Sequence, residues 1–179
     1  MATKSNKTTY GTIAVLIHWV TVLLIITLLA TGFRLGMTDN PVSKTAILRV
    51  HIPAGGAVFL LTLMRLIWWR FFDQKPKSLP MPNWQGRSAR AVHVVFYIVI
   101  LAMAFSGFAM IAISGVAPII FGQTDKALPD FWNYSPRLPH GIGARLLIGL
   151  ITLHVFAALY HQFVVKDGLL RRMWFRRTK

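Results

Sequence analysis

The sequence predicts an all-α integral membrane protein, a four-helix bundle with both termini in the cytoplasm. Three observations carry that reading. Of the 179 residues, 55% are hydrophobic and only 14% charged, with a mean hydropathy of +0.54, more apolar surface than one water-solvated core of this size hides. Four apolar stretches are each long enough to cross a hydrocarbon layer about 30 Å thick. The cations between them fall mainly on one side.

The first stretch covers about residues 11–33, the second 48–69, the third 91–116 and the fourth 142–165. Together they make residues 1–179 a single transmembrane domain with no internal repeat. Lys4 and Lys7 before the first stretch resemble a signal peptide's basic start. Its apolar region is too long for that, and no small-x-small cleavage pattern follows, so it reads as a true span.

Thirteen cations lie on the side of the termini and of the loop between spans two and three: Lys4, Lys7, Arg70, Lys75, Lys77, Arg87, Arg90, Lys166, Arg171, Arg172, Arg176, Arg177 and Lys179. Arg65, in the last turn of span two, lies close to that side; the opposite side carries Arg34, Lys44, Arg49, Lys126 and Arg137, with Arg145 just inside span four. The positive-inside rule orients the bundle accordingly. It also explains a net charge of +15 as topology and headgroup contact, not nucleic-acid binding. The Pro-rich loop (Pro76, Pro80, Pro82) reads as an extended crossing, and Trp68, Trp69 and Trp174 as interfacial anchors. In the long outer loop, Phe121, Phe131, Trp132 and Tyr134 suit packing onto the bundle's outer mouth or the membrane interface.

No cysteine is present, so disulfides, thiolate metal sites and iron–sulfur clusters are excluded. All six histidines, His18, His51, His93, His140, His154 and His161, fall within or at the ends of the spans. Ionisable groups at membrane depth mark function. On the fourth helix His140 and His154 are 14 residues apart, which is ~21 Å along the axis and ~40° around it. His161 follows on nearly the same face, seven residues later. This spacing stacks two macrocycles, one towards each side of the membrane. Paired imidazoles fill both axial positions of a haem iron, whereas zinc wants three or four protein ligands and no Glu or Cys is at hand.

Depth pairs His51 with His140 near the outer surface and His18 with His154 further in. His93 and His161, shallower still, form a third place. A rival arrangement puts the inner haem on His93 and His161 and leaves His18 and His154 structural; depth alone leaves both open. Gly55, Gly56, Gly107, Gly141 and Gly143 either make room for macrocycles or let helices approach. Arg65 suits an inner haem propionate or a snorkelling cation, and Arg49 and Arg137 suit outer propionates or solvated loop positions.

The strings IHW (Ile17, His18, Trp19), RVH at span two, RAVH at span three, PHGIG at span four and the closing LH…LYHQFVVKDGLLRRM resemble the bacterial cytochrome b561 family over nearly the whole chain. The resemblance implies two haems b, the inner on His18 and His154 and the outer on His51 and His140, with a quinone site near His93 and His161. It further implies a superoxide:ubiquinone oxidoreductase of the bacterial inner membrane, taking electrons from periplasmic superoxide through both haems to ubiquinone. On that reading Arg49 and Arg137, with Lys44, Lys126 and Arg34, form a cationic mouth that steers superoxide. The alternative function is a cytochrome b electron-transfer subunit docked to a redox protein partner, a peripheral dehydrogenase or hydrogenase.

Overall fold

The computed structural model of the chain describes residues 2–124 and 126–174; Asp125, Arg176, Arg177 and Lys179 lie outside the described residues. Four long helices cross the membrane: α1 (Thr12–Met37), α2 (Pro41–Ile67), α3 (Asn83–Ser114) and α5 (Arg137–Tyr160). α2 runs on into a π-helical turn, Trp68–Phe72, and α5 into another, His161–Val165. A short helix, α4 (Ala117–Ile120), and a 3₁₀ turn at Phe131–Asn133 lie in the outer loop; a second 3₁₀ turn, Leu170–Met173, ends the described chain. Among the described residues there is no strand.

The helices outrun their apolar stretches because capping chemistry, not hydropathy, ends them. α2 starts at Pro41, whose missing N–H costs nothing in the first turn, and the Asn40 side chain accepts the Ser43 N–H at 3.1 Å. α3 starts eight residues before its apolar stretch, straight after Pro82, and stops where Gly115 takes a left-handed conformation at φ 63°.

α1 packs along α2 and α3 along α5, and α2 meets α3 to join the two pairs. At mid-depth one residue from each helix is buried in a common cluster: Ile25, Val58, Val99 and Leu147. Outward-facing Leu23, Ile26, Leu60, Phe105 and Phe156 are left to lipid. The hydroxyls in this apolar setting are satisfied within their own helices: Thr21 donates to Ile17 O at 2.6 Å and Thr62 to Val58 O at 2.7 Å. Gly143 is where α3 and α5 come closest. A Cβ there would lie 2.6 Å from Met103 Cγ, so this glycine serves helix packing. Gly55 and Gly56 lack such close neighbours.

The outer end is closed by α4, whose Ile120 and the preceding Val116 are fully buried against Leu48, with Phe131 packed beside them. Of the four loop aromatics expected on the mouth, Phe131 joins this cluster. Phe121 and Trp132 stay exposed, Trp132 with the Arg137 guanidinium over it, 4.4 Å from its ring centre.

The terminal end is stitched by hydrogen bonds across three segments. Arg172 donates from Nε to Thr8 O at 2.8 Å and from Nη2 to Lys77 O at 2.7 Å, while the Trp19 indole donates to Met173 O at 2.8 Å. Trp174 packs edge-on against Trp19, and the Trp68 indole donates to Asp73, so these two tryptophans bind chain to chain. Asp73 also accepts the Ser5 N–H and, at 2.7 Å, the Ser5 hydroxyl. Partial desolvation works against the Asp73 charge, but the hydrogen bonds from Ser5, Gln74 and Trp68 outweigh it and hold the carboxyl below its usual range.

Two outcomes follow from this packing. Gly143→Val should destabilise the protein by about 1–3 kcal/mol through overpacking against Met103. Met103→Ala should recover part of that loss in the double variant, read as detergent-solubilised thermal midpoints. A depressed carboxyl stabilises above its unfolded pKa and loses that contribution as pH falls through the folded one. Proteolytic trimming of the N-terminal segment should therefore accelerate below about pH 4 in the wild type. Asp73→Asn should trim rapidly at every pH.

Candidate functional site

Seven residues is two helical turns, about 10 Å, and the functional side chains recur at that step. On α1 the series is His18, Ile25, Gly32; on α2 it is His51, Val58, Arg65; on α5 it is His140, Leu147, His154, then His161 in the π-helical turn. The antiparallel helices bring these series into register. An outer layer of histidines, an aliphatic middle and an inner layer of histidines with one arginine result.

In the outer layer the His51 and His140 rings face each other across the bundle, 6.3 Å between centres. An iron with imidazole nitrogens ~2.0 Å away on each side holds ring centres roughly 6 Å apart. Hydrogen-bond partners orient each ring. Thr31 Oγ1 lies 2.7 Å from Thr27 O and 2.8 Å from His51 Nδ1, and with its own proton given to the Thr27 carbonyl it accepts the Nδ1 proton. His140 Nδ1 lies 3.1 Å from Met103 O, which only accepts, and 2.9 Å from Ser106 Oγ, whose own proton goes to Met103 O at 2.8 Å. Both rings therefore carry hydrogen on Nδ1 and keep the Nε2 lone pair for a metal, the arrangement that outer partners impose on metal-ligating histidines. Gly32 and Gly107 flank these rings: a Cβ would lie 3.6 Å from His51 Cε1 and 3.5 Å from His140 Cε1.

The inner layer is organised differently. His154 meets His93 edge to face, 5.5 Å between centres at 86°, and Phe96 at 5.6 Å. That separation leaves no space for an iron between His93 and His154. His93 donates from Nδ1 to Ala89 O at 2.6 Å and is exposed on the flank of the bundle. His18 Nδ1 lies 3.2 Å from Arg65 Nη1 and, because a guanidinium only donates, accepts from it. This puts the His18 proton on Nε2, so ligation through Nε2 requires Arg65 to release the ring. Arg65 Nε is buried without a partner, and such a guanidinium suits an anionic group at this level, as a propionate is. The residues thus fit haem in the outer layer directly, and in the inner layer once Arg65 has another acceptor.

His161 stands apart from that cluster. Its Nδ1 donates to Asp167, and no ring contact or hydrogen bond joins it to His93 among the described residues. At the outer mouth Arg49 donates from Nε to Ile120 O at 2.6 Å, tying α2 to α4, and its remaining nitrogens lie by Gly122. Arg137 is held over Trp132 and against Gly141. Among the described residues no group of three or more His, Asp, Cys or Glu side chains converges on a metal position.

Sequence reasoning missed Thr31 and Ser106, and it gave Asp167 no role beyond its place in the closing motif. Thr31 precedes Gly32, the outer station of the seven-residue series on α1, and that register is the signal that marks it. Ser106 had none, since its role exists only once α3 lies against α5.

A family model described as prokaryotic cytochrome b561 matches residues 9–176. Cytochrome b561 homolog 1 of Escherichia coli (strain K12) is 30% identical over 172 residues, covering 90% of this chain and 94% of that protein. Cytochrome b561 homolog 2 of the same organism is 27% identical, covering 92% and 90%. A protein of Yersinia pestis named probable superoxide oxidase CybB is 28% identical, covering 92% and 94%.

Thr31→Val removes the acceptor of the His51 Nδ1 proton and should lower haem affinity at the outer pair roughly 10- to 100-fold. Ser106→Ala leaves Met103 O in place and should cost less. Haem titration of the apoprotein, followed at the Soret band, measures both.

Proposed function

The chain belongs to the prokaryotic cytochrome b561 family, multi-pass cytochromes of the bacterial inner membrane that bind haem b, and we propose that it is a superoxide:ubiquinone oxidoreductase with two haems. The observation that carries the reading is the outer pair, His51 and His140, whose ring centres lie 6.3 Å apart with both Nδ1 nitrogens engaged in hydrogen bonds, which leaves Nε2 of each ring as the ligand atom. The proposed inner ligands are His18 and His154, with Arg65 turned to a propionate. The contact of His93 with His154 supports leaving His93 out of the ligand set.

Bound haem with two imidazole ligands supplies one-electron transfer and has no open position for oxygen. The chain's own residues set the rest. Ile25, Val58, Val99 and Leu147 keep water and ions out of the space between the two layers. Arg49 and Arg137 place positive charge at the outer mouth, where a small anion gives up its electron without binding to iron. At the other end His93, which is exposed, and His161 are proposed to hydrogen-bond a quinone that arrives through the bilayer. The reaction balances as two superoxide anions, one quinone and two protons giving two dioxygen molecules and one quinol. Loop charge supports an orientation with the termini cytoplasmic and the Arg49–Arg137 mouth periplasmic. The name of the Yersinia relative supports the choice of superoxide.

A second reading rests on the outer surface. Trp132 is 68% exposed, Leu138 62% and Phe121 57%, an apolar rim that suits a protein donor docked at the same mouth.

The two readings part on one experiment. A pulse of superoxide on the purified protein should reduce the haem without any protein partner and form quinol when ubiquinone is present. A pulse that leaves the haem oxidised removes the superoxide reading. Arg137→Gln should slow the second-order reduction by about two- to fivefold at low salt, and the difference should vanish as ionic strength rises.

A further inference from the structure

The chain after α5 is shaped to return a carboxylate to the last histidine. The π-helical turn His161–Val165 ends at Lys166, which takes φ 57° and is the one non-glycine with positive φ among the described residues. Gly168 follows at φ 74°, so two left-handed residues flank Asp167 and reverse the chain. Asp167 Oδ1 accepts the Leu169 N–H at 2.9 Å, which fixes the side chain, and Oδ2 accepts the proton of His161 Nδ1. The two side chains are 13% and 16% exposed, so this is a sheltered pair and not a surface contact. A left-handed lysine costs strain that an open turn has no need to carry.

Asp167 also has a second side. It lines a cleft of about 390 Å³ at the terminal end of the bundle, with Lys7, Lys77, Arg171 and Arg172 around it. One carboxylate therefore touches both the histidine and the compartment on the side of the termini. The ionisable and charged groups facing the pair are those four cations and Tyr160, whose ring abuts His161.

We propose that Asp167 is a positioning residue that sets His161 for proton exchange with the quinone, and that the cleft beside it is where those protons enter and leave. The inference rests on the quinone reading of His161. With Nδ1–H held by the carboxylate, Nε2 is the only ring nitrogen left to face a quinone oxygen. In quinone reduction the ring takes a second proton from the cleft side, held at Nε2, and gives it to the reduced oxygen, returning to the neutral Nδ1–H form. Each quinone takes two electrons from the haem irons and two protons by this route. In quinol oxidation every transfer reverses.

The reverse direction tests the proposal independently of superoxide. A short-chain ubiquinol is mixed with the oxidised holoprotein, and haem reduction is followed at the Soret band over a range of quinol concentrations. Asp167→Asn should lower the limiting rate roughly 100-fold, leave the half-saturating quinol concentration unchanged and enlarge the solvent deuterium isotope effect. Asp167→Glu should recover most of the rate. Nitrogen NMR of the labelled His161 ring should report Nδ1–H in the wild type and a mixed tautomer in Asp167→Asn. A wild-type rate and isotope effect in Asp167→Asn would overturn the proposal, as would a change confined to half-saturation. If Asp167→Asn does not assemble with haem, Asp167→Glu decides: an unchanged isotope effect and tautomer with a reduced rate overturn it. Failure of ubiquinol to reduce the wild type at all removes the quinone reading itself.

Discussion

Everything in this bundle depends on keeping polar chemistry in two layers with a dry layer between. A helix in lipid satisfies its own backbone, so its side chains alone decide what the interior holds. The two-turn step puts Ile25, Val58 and Leu147 at mid-depth, with Val99 closing the layer from α3. One step away in each direction the same helix faces turn to Gly32, His51 and His140, or to His18, Arg65 and His154. A polar residue in the middle layer would lack a partner in the surrounding aliphatic cluster, and it would admit water between the two sites. Antiparallel packing then needs only matched depth, which capping at Asn40, Pro82 and Gly115 supplies.

The two layers differ in what controls their histidines. Outer-layer histidines are partnered by neutral groups, the Thr31 hydroxyl and the Met103 carbonyl. Inner-layer His18 is governed by a charge, the Arg65 guanidinium, on a side chain long enough to turn elsewhere. Near the terminal surface His161 is set by a carboxylate. Neutral partners, a cation and an anion thus occupy successive stations from the outer mouth to the terminal face. That order fits a protein whose fixed ligands lie at one end and whose proton exchange is proposed at the other.

The sequence made the architecture legible because hydropathy and loop charge act one residue at a time. Four spans, their order and the seven-residue series of His140, Leu147 and His154 all follow from counting along single helices. Matched depth could propose His51 beside His140, but hydrogen-bond partners on a neighbouring helix were beyond its reach. Ser106 meets His140 over 34 positions and Arg65 meets His18 over 47, and neither pairing has a local signature. The glycines illustrate the same limit. Gly143 proves to be a helix contact and Gly107 a neighbour of His140, a distinction that depends on what lies opposite each one. Helix ends also escaped hydropathy, since α3 begins with eight residues that extend past the apolar core.

The terminal end shows how a polar surface holds a membrane site in shape. Arg172 joins the N-terminal segment, the middle loop and the C-terminal turn through two carbonyls. Asp167 sits five residues before it, on the same reversed chain. The turn that aims the carboxylate at His161 is therefore anchored from both sides, by α5 above and by Arg172 below. A free tail would let Asp167 sample solvent, where a carboxylate is better hydrated than in a 16% exposed position. Tethering removes that alternative, and the left-handed Lys166 is the strained residue through which the tether reaches His161.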